Sequence, residues 1–414
     1  MLTNFGKGKK AWEAVFIVLA CLGIVVSASI MLMCERASAA VTGDWDGAKK
    51  AVIKAYKNYQ TEVELTKYNL NYETEYSQLK TMMNEVVSET PYLFYTGTRF
   101  SVSRNTSTNL IVKITLGYAD DYKKADGTVR KAKIKNTRSK LDAAINTALL
   151  NVQPSMSKME KAMVLHDYIV SNTAYTKDSK KQFRVTEVGV FLKHKANCEG
   201  YSRAYAILME KVGIPVRFVS SDEMVHMWNE IQLGKYWYQV DVTWDDPLDK
   251  DDGADQYGRV SHENFLCSAA KMQKNGHKDF NTSNAVSTKY DKKYWQKVNS
   301  SFFYRDGKWL YMTSDGIAER SKLTGGAEKI LYNVSGNNLV QFNEDQYYLI
   351  AYNSIYLYNY KANEAKVVWK TSDVYSKSCV LDQIKYTNGK LYYRVLENGK
   401  HISNKLTPKE DGTL

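Results

Sequence analysis

The sequence has few cysteines for its length, five among 414 residues. Two of them, Cys21 and Cys34, lie in an apolar N-terminal segment, which leaves Cys198, Cys267 and Cys379 in the rest of the chain. So few cysteines exclude the disulfide framework that holds many small secreted domains together. We therefore expect the hydrophobic core to supply the stability, Cys198 to be a free thiol, and the other two to be packing residues.

Metal-binding patterns are also missing. His262 and His277 have no further ligand residue at the spacing of a zinc site. The acidic run from Asp249 to Asp255 has a glycine where an EF-hand has a ligand, and no acidic residue at the twelfth position. We expect no metal ion and no cofactor, and we interpret the acidic residues, including Asp245 and Asp246, as a solvated loop.

Basic residues outnumber acidic residues by 57 to 45, which gives a net charge of +12. No nucleic-acid-binding motif accompanies this charge, so we expect no nucleic-acid partner. Attraction to an anionic cell-envelope polymer or to a membrane surface explains the charge better.

The N-terminus has the pattern of a targeting segment. Lys7, Lys9 and Lys10 precede an almost uncharged apolar run at 14–33, and small residues follow at 37–39. This pattern predicts a secretion signal over residues 1–40. An apolar run of about 20 residues can also span a bilayer, so an uncleaved signal anchor is the alternative. Either form predicts that residues 41 onward are extracellular or displayed at the cell surface.

Cys198 begins a predicted helix. Apolar residues recur at positions 201, 204, 205, 208, 209 and 212, the spacing of one helix face, and Gly213 follows as a stop. Cys198 therefore belongs to the first helical turn. Unpaired backbone N–H groups and the positive end of the helix dipole favour a thiolate there.

A β-hairpin is predicted farther along the chain. Residues 226–233 and 236–243 alternate with a period of two around Gly234 and Lys235. One face of the hairpin is then mostly apolar and suited to a core. It carries the pairs Leu233–Tyr236, Ile231–Tyr238, Asn229–Val240 and Met227–Val242. The opposite face carries His226 and Asp241 as diagonal neighbours, with Cβ atoms about 7 Å apart.

Cys198, His226 and Asp241 together have the chemistry of a catalytic triad. Asp241 would orient His226, and His226 would hold Cys198 as a thiolate and protonate a leaving group. Each residue alone is more often structural, as a small buried cysteine, a core histidine or a surface aspartate. The prediction depends on the three occurring together in this order.

The residues that carry these patterns also resemble a known family. The segments "NCEGYSRAYAILMEKVGIPVRFVS" and "HMWNEIQLGKYWYQVDVTWDDP" resemble the transglutaminase-like superfamily, and the resemblance covers about residues 155–280. It implies an α+β, papain-like fold in which a cysteine-bearing helix packs on an antiparallel sheet. It also implies that Cys198 is the nucleophile, His226 the base and Asp241 the orienting acid. Phe265–Leu266 matches the stretch that closes the family's domain.

The helix before the cysteine segment is predicted to be a packing element. Ser157 and Glu160 form a capping-box pattern that begins a helix with His166 on its inward face. His166 also resembles a family position before Asp167, and we assign it a structural role. His194 is predicted to be a loop residue near the rim of the cleft.

Four regions are expected along the chain. They are the signal segment 1–40, an α/β prefix over 41–150 that packs on the core, the transglutaminase-like domain over 151–295 and an all-β region over 296–414. Aromatic clusters at 309–311, 347–348 and 391–393 recur about every 40 residues in the last region, which suggests propeller-blade-like repeats. A small sandwich or meander is the alternative fold, and binding of wall polymers or docking of substrate is the alternative to a purely structural role.

The expected function is exported, cysteine-dependent acyl transfer on amide bonds of proteins or peptides. The Cys198 thioester is resolved by water in a peptidase or amidase, or by a lysine amine in a cross-linking transglutaminase. Water is the default acceptor, because amine transfer needs a second, dry site. The alternative from another class is a non-catalytic module that binds the cell envelope, although such a module has no need for all three triad residues.

Overall fold

The structure is a computed structural model that describes residues 15–18, 43–248, 253, 255–371, 379–397 and 400–414. The chain divides into two units, residues 1–140 and 141–414. The finer division expected from the sequence, with boundaries near residues 150 and 295, stays a prediction.

The first unit is built on a four-stranded antiparallel sheet with the order β1-β3-β4-β2. Its strands are β1 (Val15–Val18), β2 (Glu62–Glu64), β3 (Arg99–Arg104) and β4 (Ile111–Thr115), and its helices are α1 (Trp45–Lys57), α2 (Tyr76–Glu89) and the first part of α3 (Lys131–Leu149). The Asp44 side chain caps α1 by accepting a hydrogen bond from the Gly47 N–H. Ala48, Val52 and Tyr56 repeat every four residues on the buried face of α1.

Strand β1 lies within the apolar run at 14–33 and pairs with β3 at one edge of the sheet. The other residues of the expected signal segment lie outside the described residues. Within the part of the chain that is described, no helix is both long and apolar enough to cross a bilayer. Export and the secretion signal therefore stay predictions.

The first half of the second unit is a helix pair on an antiparallel sheet. It contains α4 (Lys158–Asn172), β5 (Ala174–Tyr175), β6 (Lys195–Ala196), α5 (Cys198–Lys211), β7 (Val216–Ser221), β8 (His226–Leu233), β9 (Tyr236–Val240), β10 (Phe265–Cys267) and α6 (Ala269–Lys274). The sheet has the order β10-β9-β8-β7, and β5 pairs with β6 in parallel. This architecture confirms the α+β fold class.

Helix α5 is the central element of this half. It begins at Cys198 as predicted, with Asn197 as the N-cap, and the chain turns at Gly213 in the left-handed region (φ +69°). Residues 200–209 are all buried. The helix is thus buried on every side rather than on one face only, because it packs both on α4 and on β7 and β8.

The register of the predicted hairpin is confirmed up to Val240, but the second strand ends there rather than at residue 243, so the expected pair Met227–Val242 does not form. Leu233 pairs with Tyr236, and the ladder continues to the pair Asn229–Val240. Asp241 follows the end of the strand, and its N–H donates to the Asn264 carbonyl at 3.1 Å. The capping box of α4 is also confirmed, since the side chain and backbone of Ser157 and Glu160 bond to each other reciprocally.

In the described residues of the C-terminal region, the strands form three consecutive antiparallel sheets. The first contains β11 (Phe303–Arg305), β12 (Lys308–Thr313), β13 (Gly316–Arg320) and β14 (Lys329–Asn333), the second β15 (Gly336–Gln341), β16 (Gln346–Ala351), β17 (Ser354–Asn359) and β18 (Glu364–Lys370), and the third β19 (Cys379–Thr387), β20 (Lys390–Glu397) and β21 (Lys400–Leu406). One apolar cluster includes Leu310 and Leu349 and joins the first two sheets, and a second includes Leu357 and Leu391 and joins the last two. The all-β character is as expected, and the propeller-like arrangement stays a prediction.

The loop that follows the hairpin lies directly against β19 and β20. The Asp255 carboxylate is 3.4 Å from the Lys385 Nζ, and the Tyr257 N–H donates to the Gln383 side chain at 3.1 Å. Gly258 (φ +73°) is so close to the strand that a Cβ at this position would lie 2.1 Å from the Ile384 carbonyl oxygen.

Candidate active site

The Cys198 thiol lies at the start of α5 and is 9% exposed. The Asn197 side chain accepts a hydrogen bond from the Gly200 N–H at 3.2 Å, and the Asn197 N–H donates to the Arg184 carbonyl at 3.0 Å. Asn197 thus serves the helix as an N-cap, which explains a polar residue immediately before the cysteine. The Ser202 hydroxyl lies 2.9 Å from the carbonyl oxygens of Cys198 and Met227, so it links the first turn of α5 to β8.

Gly200 permits the close approach of the segment that precedes the cysteine. A Cβ at this position would lie 2.4 Å from the Arg184 carbonyl oxygen and 2.9 Å from the Ala196 Cβ. Only glycine fits so close to the neighbouring backbone. Because Gly200 has no side chain, the segment before Cys198 can pack closely against the start of α5 and so position the cysteine.

His226 and Asp241 are in direct contact, as the hairpin register predicts. The His226 Nε2 lies 2.6 Å from the Asp241 Oδ2, so Nδ1 is the ring nitrogen left for Cys198. Asp241 is completely buried, and its Oδ1 accepts hydrogen bonds from the N–H groups of Thr243 at 3.0 Å and Trp244 at 3.1 Å. The carboxylate is therefore fixed by backbone as well as by imidazole.

The electrostatics favour an imidazolium between a carboxylate and a sulfur. Burial disfavours charge on His226, but the charge and hydrogen bond of Asp241, together with Cys198, outweigh it and raise the pKa of His226 to about 10. Burial likewise disfavours ionised Asp241, yet the charge of His226 and the hydrogen bonds from His226 and His277 hold the pKa of that carboxyl well below its usual range. His226 thus retains its proton at neutral pH, as a thiolate–imidazolium pair requires.

Two indole rings cover the imidazole of His226. Its ring centroid is 5.5 Å from that of Trp228 and 5.6 Å from that of Trp244, and both pairs are stacked. Trp228 is buried and its Nε1–H donates to Gln239 at 2.5 Å, whereas Trp244 is 41% exposed. Trp244 therefore brings an apolar surface to the solvent side of the site.

Tyr175 is a further polar side chain near the nucleophile. It lies in β5 and pairs with Ala196, two residues before Cys198. Burial, followed by the negative charges of Cys198 and Asp241, raises the pKa of Tyr175. The phenol therefore keeps its proton and remains a hydrogen-bond donor.

His277 is a site residue that the sequence did not reveal. Its Nε2 lies 2.8 Å from the Asp241 Oδ2, the oxygen that also binds His226, and the side chain is fully buried. The chain reaches this position after α6, where Gly276 (φ +108°) allows the His277 N–H to donate to the Met272 carbonyl at 3.0 Å. No metal-ligand spacing marks His277 in the sequence, and hairpin periodicity cannot show a contact made 36 residues after Asp241.

A second buried network lies apart from the cysteine, around His166. Its Nδ1 is 2.9 Å from Asp167 and its Nε2 is 3.1 Å from Asp245. His262 joins the network through a 3.0 Å contact between its Nε2 and Asp167. Despite complete burial, the two carboxylates raise the pKa of His166 to about 9. These contacts agree with the structural role expected for His166. The position expected for His194, near the rim of the cleft, stays a prediction.

The expected solvated loop at the acidic residues is wrong for Asp245 and Asp246, and also for Asp255, whose side chain is 11% exposed and pairs with Lys385 at 3.4 Å. Asp245 is fully buried and accepts hydrogen bonds from the backbone and side chain of Asn264 at 3.0 and 3.1 Å. Asp246 is 4% exposed and accepts a short hydrogen bond from Tyr201. Because both carboxyls find donors inside the fold, they do not need solvent. Residues 249–252, part of the acidic run that was compared with an EF-hand loop, lie outside the described residues.

Among the described residues, two groups of side chains have donor atoms close enough together to hold a metal ion. One is His166, Asp167 and His262, and the other is His226, Asp241 and His277. In both groups the nitrogen–oxygen distances, between 2.6 and 3.0 Å, are those of N–H···O hydrogen bonds. We therefore interpret both as hydrogen-bonded networks.

One comparison with known proteins matches the part of the chain that contains Cys198, His226 and Asp241. Residues 146–242 match the family model described as "Transglutaminase-like superfamily". A solved structure described as "Crystal structure of a TGase" is 20% identical, with a TM-score of 0.24, over 32% of this chain and 41% of its own. So distant a likeness carries no argument of its own. No curated protein matches the sequence.

Proposed function

We propose, from the match of residues 146–242 to the transglutaminase-like superfamily, that the protein is a cysteine-dependent acyl-transfer enzyme that acts on amide bonds of proteins or peptides. The observation that carries the proposal is the 2.6 Å hydrogen bond between His226 and Asp241, which leaves the other ring nitrogen for the helix-start Cys198. Cys198 is the nucleophile, His226 the general acid and base, and Asp241 the group that orients His226.

The first half-reaction forms a thioester. The Cys198 Sγ attacks the amide carbonyl carbon and forms a tetrahedral oxyanion. The carbon–nitrogen bond then breaks, and the leaving amine takes a proton from the His226 Nδ1. The Cys198 N–H is the first donor to the oxyanion, and the Tyr175 hydroxyl is the second donor that we propose.

The second half-reaction releases the acyl group. A water molecule attacks the thioester carbonyl while His226 accepts its proton, the carbon–sulfur bond breaks, and a carboxylic acid and the thiolate result. We favour this peptidase or amidase outcome. If a lysine amine replaces water, the product is an isopeptide cross-link. The exposed part of the Trp244 ring would give the alkyl chain of a lysine acceptor an apolar surface beside His226. We rank this outcome second, because amine transfer needs a second, dry site.

The test uses a second cysteine of the same chain as an internal control. Burial raises the pKa of the Cys267 thiol well above its usual value, and Cys267 is fully buried. Iodoacetamide labelling of the full chain across pH 4 to 9, followed by peptide mapping, should modify Cys198 rapidly even below neutral pH and leave Cys267 unmodified. His226→Ala should remove the reactivity at low pH.

Substrate assays on the same preparations distinguish the candidate functions. Release of a fluorophore from peptide amides supports the hydrolase, and incorporation of a fluorescent primary amine into a glutamine-containing protein supports the cross-linker. If Cys198 reacts like an ordinary thiol in both wild type and His226→Ala, the catalytic proposal is refuted and the envelope-binding module takes its place.

We further propose that the protein works outside the cytoplasm, where its net charge of +12 attracts it to anionic envelope polymers or membranes. The support comes from the basic, apolar and small-residue pattern of residues 1–40. Cell fractionation of the native host with an antibody to the C-terminal region tests localisation. A signal confined to the cytosol contradicts the proposal.

A further inference from the structure

Asp241 accepts hydrogen bonds from two imidazoles on the same oxygen. The His226 Nε2 is 2.6 Å and the His277 Nε2 is 2.8 Å from Oδ2, while Oδ1 accepts two backbone N–H groups. Four donors thus converge on one buried carboxylate. An aspartate that only oriented His226 would need no second imidazole.

The proton on His277 can be assigned from its surroundings. An ionised Asp241 accepts only, so the His277 Nε2 must carry the hydrogen. Among the described residues, the His277 Nδ1 is buried and has no hydrogen-bond partner. A second proton on Nδ1 would therefore be a buried, unpaired donor, which is costly. His277 thus donates from Nε2 and has a bare Nδ1.

The rings around His277 hold it in this orientation. Its centroid is 4.1 Å from that of Trp244 and 4.9 Å from that of Trp228. Both indoles also stack on His226, whose ring centroid is 6.0 Å from that of His277. The two imidazoles and two indoles form one packed group around the Asp241 carboxylate.

We propose that His277 is a positioning residue of the acyl-transfer site, whose Nε2–H fixes Asp241 and shares the carboxylate charge with His226. The inference rests on the proposed function of Cys198 and His226. The hydrogen bond from His277 stabilises part of the negative charge of Asp241. Asp241 therefore stabilises the protonated form of His226 less, and the pKa of His226 is lower than it would be without His277. His226 is then a stronger acid towards the leaving amine than it would be if it were the only imidazole on Asp241.

The proposal predicts a signature that a purely structural residue would not give. Without the His277 donor, His226 binds its proton more tightly, so the alkaline limb of the pH profile of amide turnover, which reports loss of the His226 proton, moves to higher pH. Turnover of amides should fall about tenfold, because the departing amine needs that proton. Turnover of aryl esters should change little, because a phenolate leaves without one.

The experiment compares two amide replacements in the full chain. His277→Gln places its Nε2 near the position of the imidazole Nε2 and keeps the donor, whereas His277→Asn is one methylene shorter and loses the contact. His262→Gln is the matched control, because His262 is also fully buried and also bonds a carboxylate through Nε2, at 3.0 Å to Asp167. Thermal unfolding of each variant establishes that it is folded.

The expected result is a shifted alkaline limb and an amide-to-ester ratio about tenfold lower in His277→Asn, with His277→Gln and His262→Gln within about twofold of wild type. The inference is overturned if His277→Asn retains the wild-type profile and ratio, if the Gln and Asn variants behave alike, or if His262→Gln shifts equally. A wild-type Cys198 that is indifferent to His226→Ala refutes the proposed function instead. If His277→Asn does not fold, a His277→Gln variant that differs from wild type in the ratio overturns the inference.

Discussion

Alkaline pH should destabilise the fold through the network around His166. This imidazole is fully buried between Asp167 and Asp245, which raise its pKa from an ordinary 6.5 to about 9. The folded protein therefore holds the proton more tightly than the unfolded chain does. The resulting stabilisation is fully present below pH 6.5 and is lost as the pH rises through about 9.

The magnitude follows from the difference between the two pKa values. One pKa unit corresponds to about 1.4 kcal/mol, so raising the pH from 6 to 9.5 should lower the free energy of unfolding by about 3 kcal/mol through His166. Because His226 also has a raised pKa, about 10, it contributes in the same direction over this range. A single wild-type curve would therefore mix the two contributions.

The assay separates them by comparison of variants. Urea unfolding is followed by tryptophan fluorescence at pH 6, 7.5 and 9.5 for wild type, His166→Gln and His226→Gln. His166→Gln should be less stable than wild type at pH 6, and its free energy of unfolding should fall by about 3 kcal/mol less on going to pH 9.5. If wild type and His166→Gln lose the same free energy between pH 6 and 9.5, the assignment of a buried imidazolium at 166 is refuted.

Two further predictions concern the nucleophile and its partners. Gly200→Ala places a Cβ 2.4 Å from the Arg184 carbonyl oxygen. We therefore expect the free energy of unfolding, measured by chemical denaturation, to fall by about 1–3 kcal/mol and the alkylation of Cys198 to slow. A variant with wild-type stability and a wild-type alkylation rate would contradict the close approach. Asp241→Asn keeps the shape of the side chain but removes the charge that holds His226 as an imidazolium. Amide turnover should therefore fall about 10³- to 10⁴-fold. A loss below about tenfold would show that His226 does not depend on this carboxylate.

The local features of the site could be predicted from the sequence. The start of α5 at Cys198 depends on helix periodicity and a stop glycine, and the contact between His226 and Asp241 depends on alternation around a tight turn. In both cases the interacting residues lie within one helix or one hairpin. The pattern of side chains within that element therefore determines their relative positions.

The contacts that the sequence did not show join distant segments. His277 meets Asp241 only because α6 ends at a left-handed glycine, and His166 meets Asp245 across 79 positions. Periodicity gives no information about such tertiary contacts. The same reason explains the error at Asp245, where an acidic run suggests solvent and the donors that bury it come from other elements.

The loop at 255–258 contacts strands β19 and β20. Because of these contacts, we expect the C-terminal sheets to fold and unfold together with the half of the unit that carries Cys198. The Phe302 N–H also donates to the Asp167 carboxylate at 2.7 Å, so the chain leading into these sheets completes the His166 network. Truncation near residue 296 would remove this donor and leave the Asp255 carboxyl without Lys385. The two halves should therefore unfold in one transition, and a shortened protein would not report on the chemistry of the intact one.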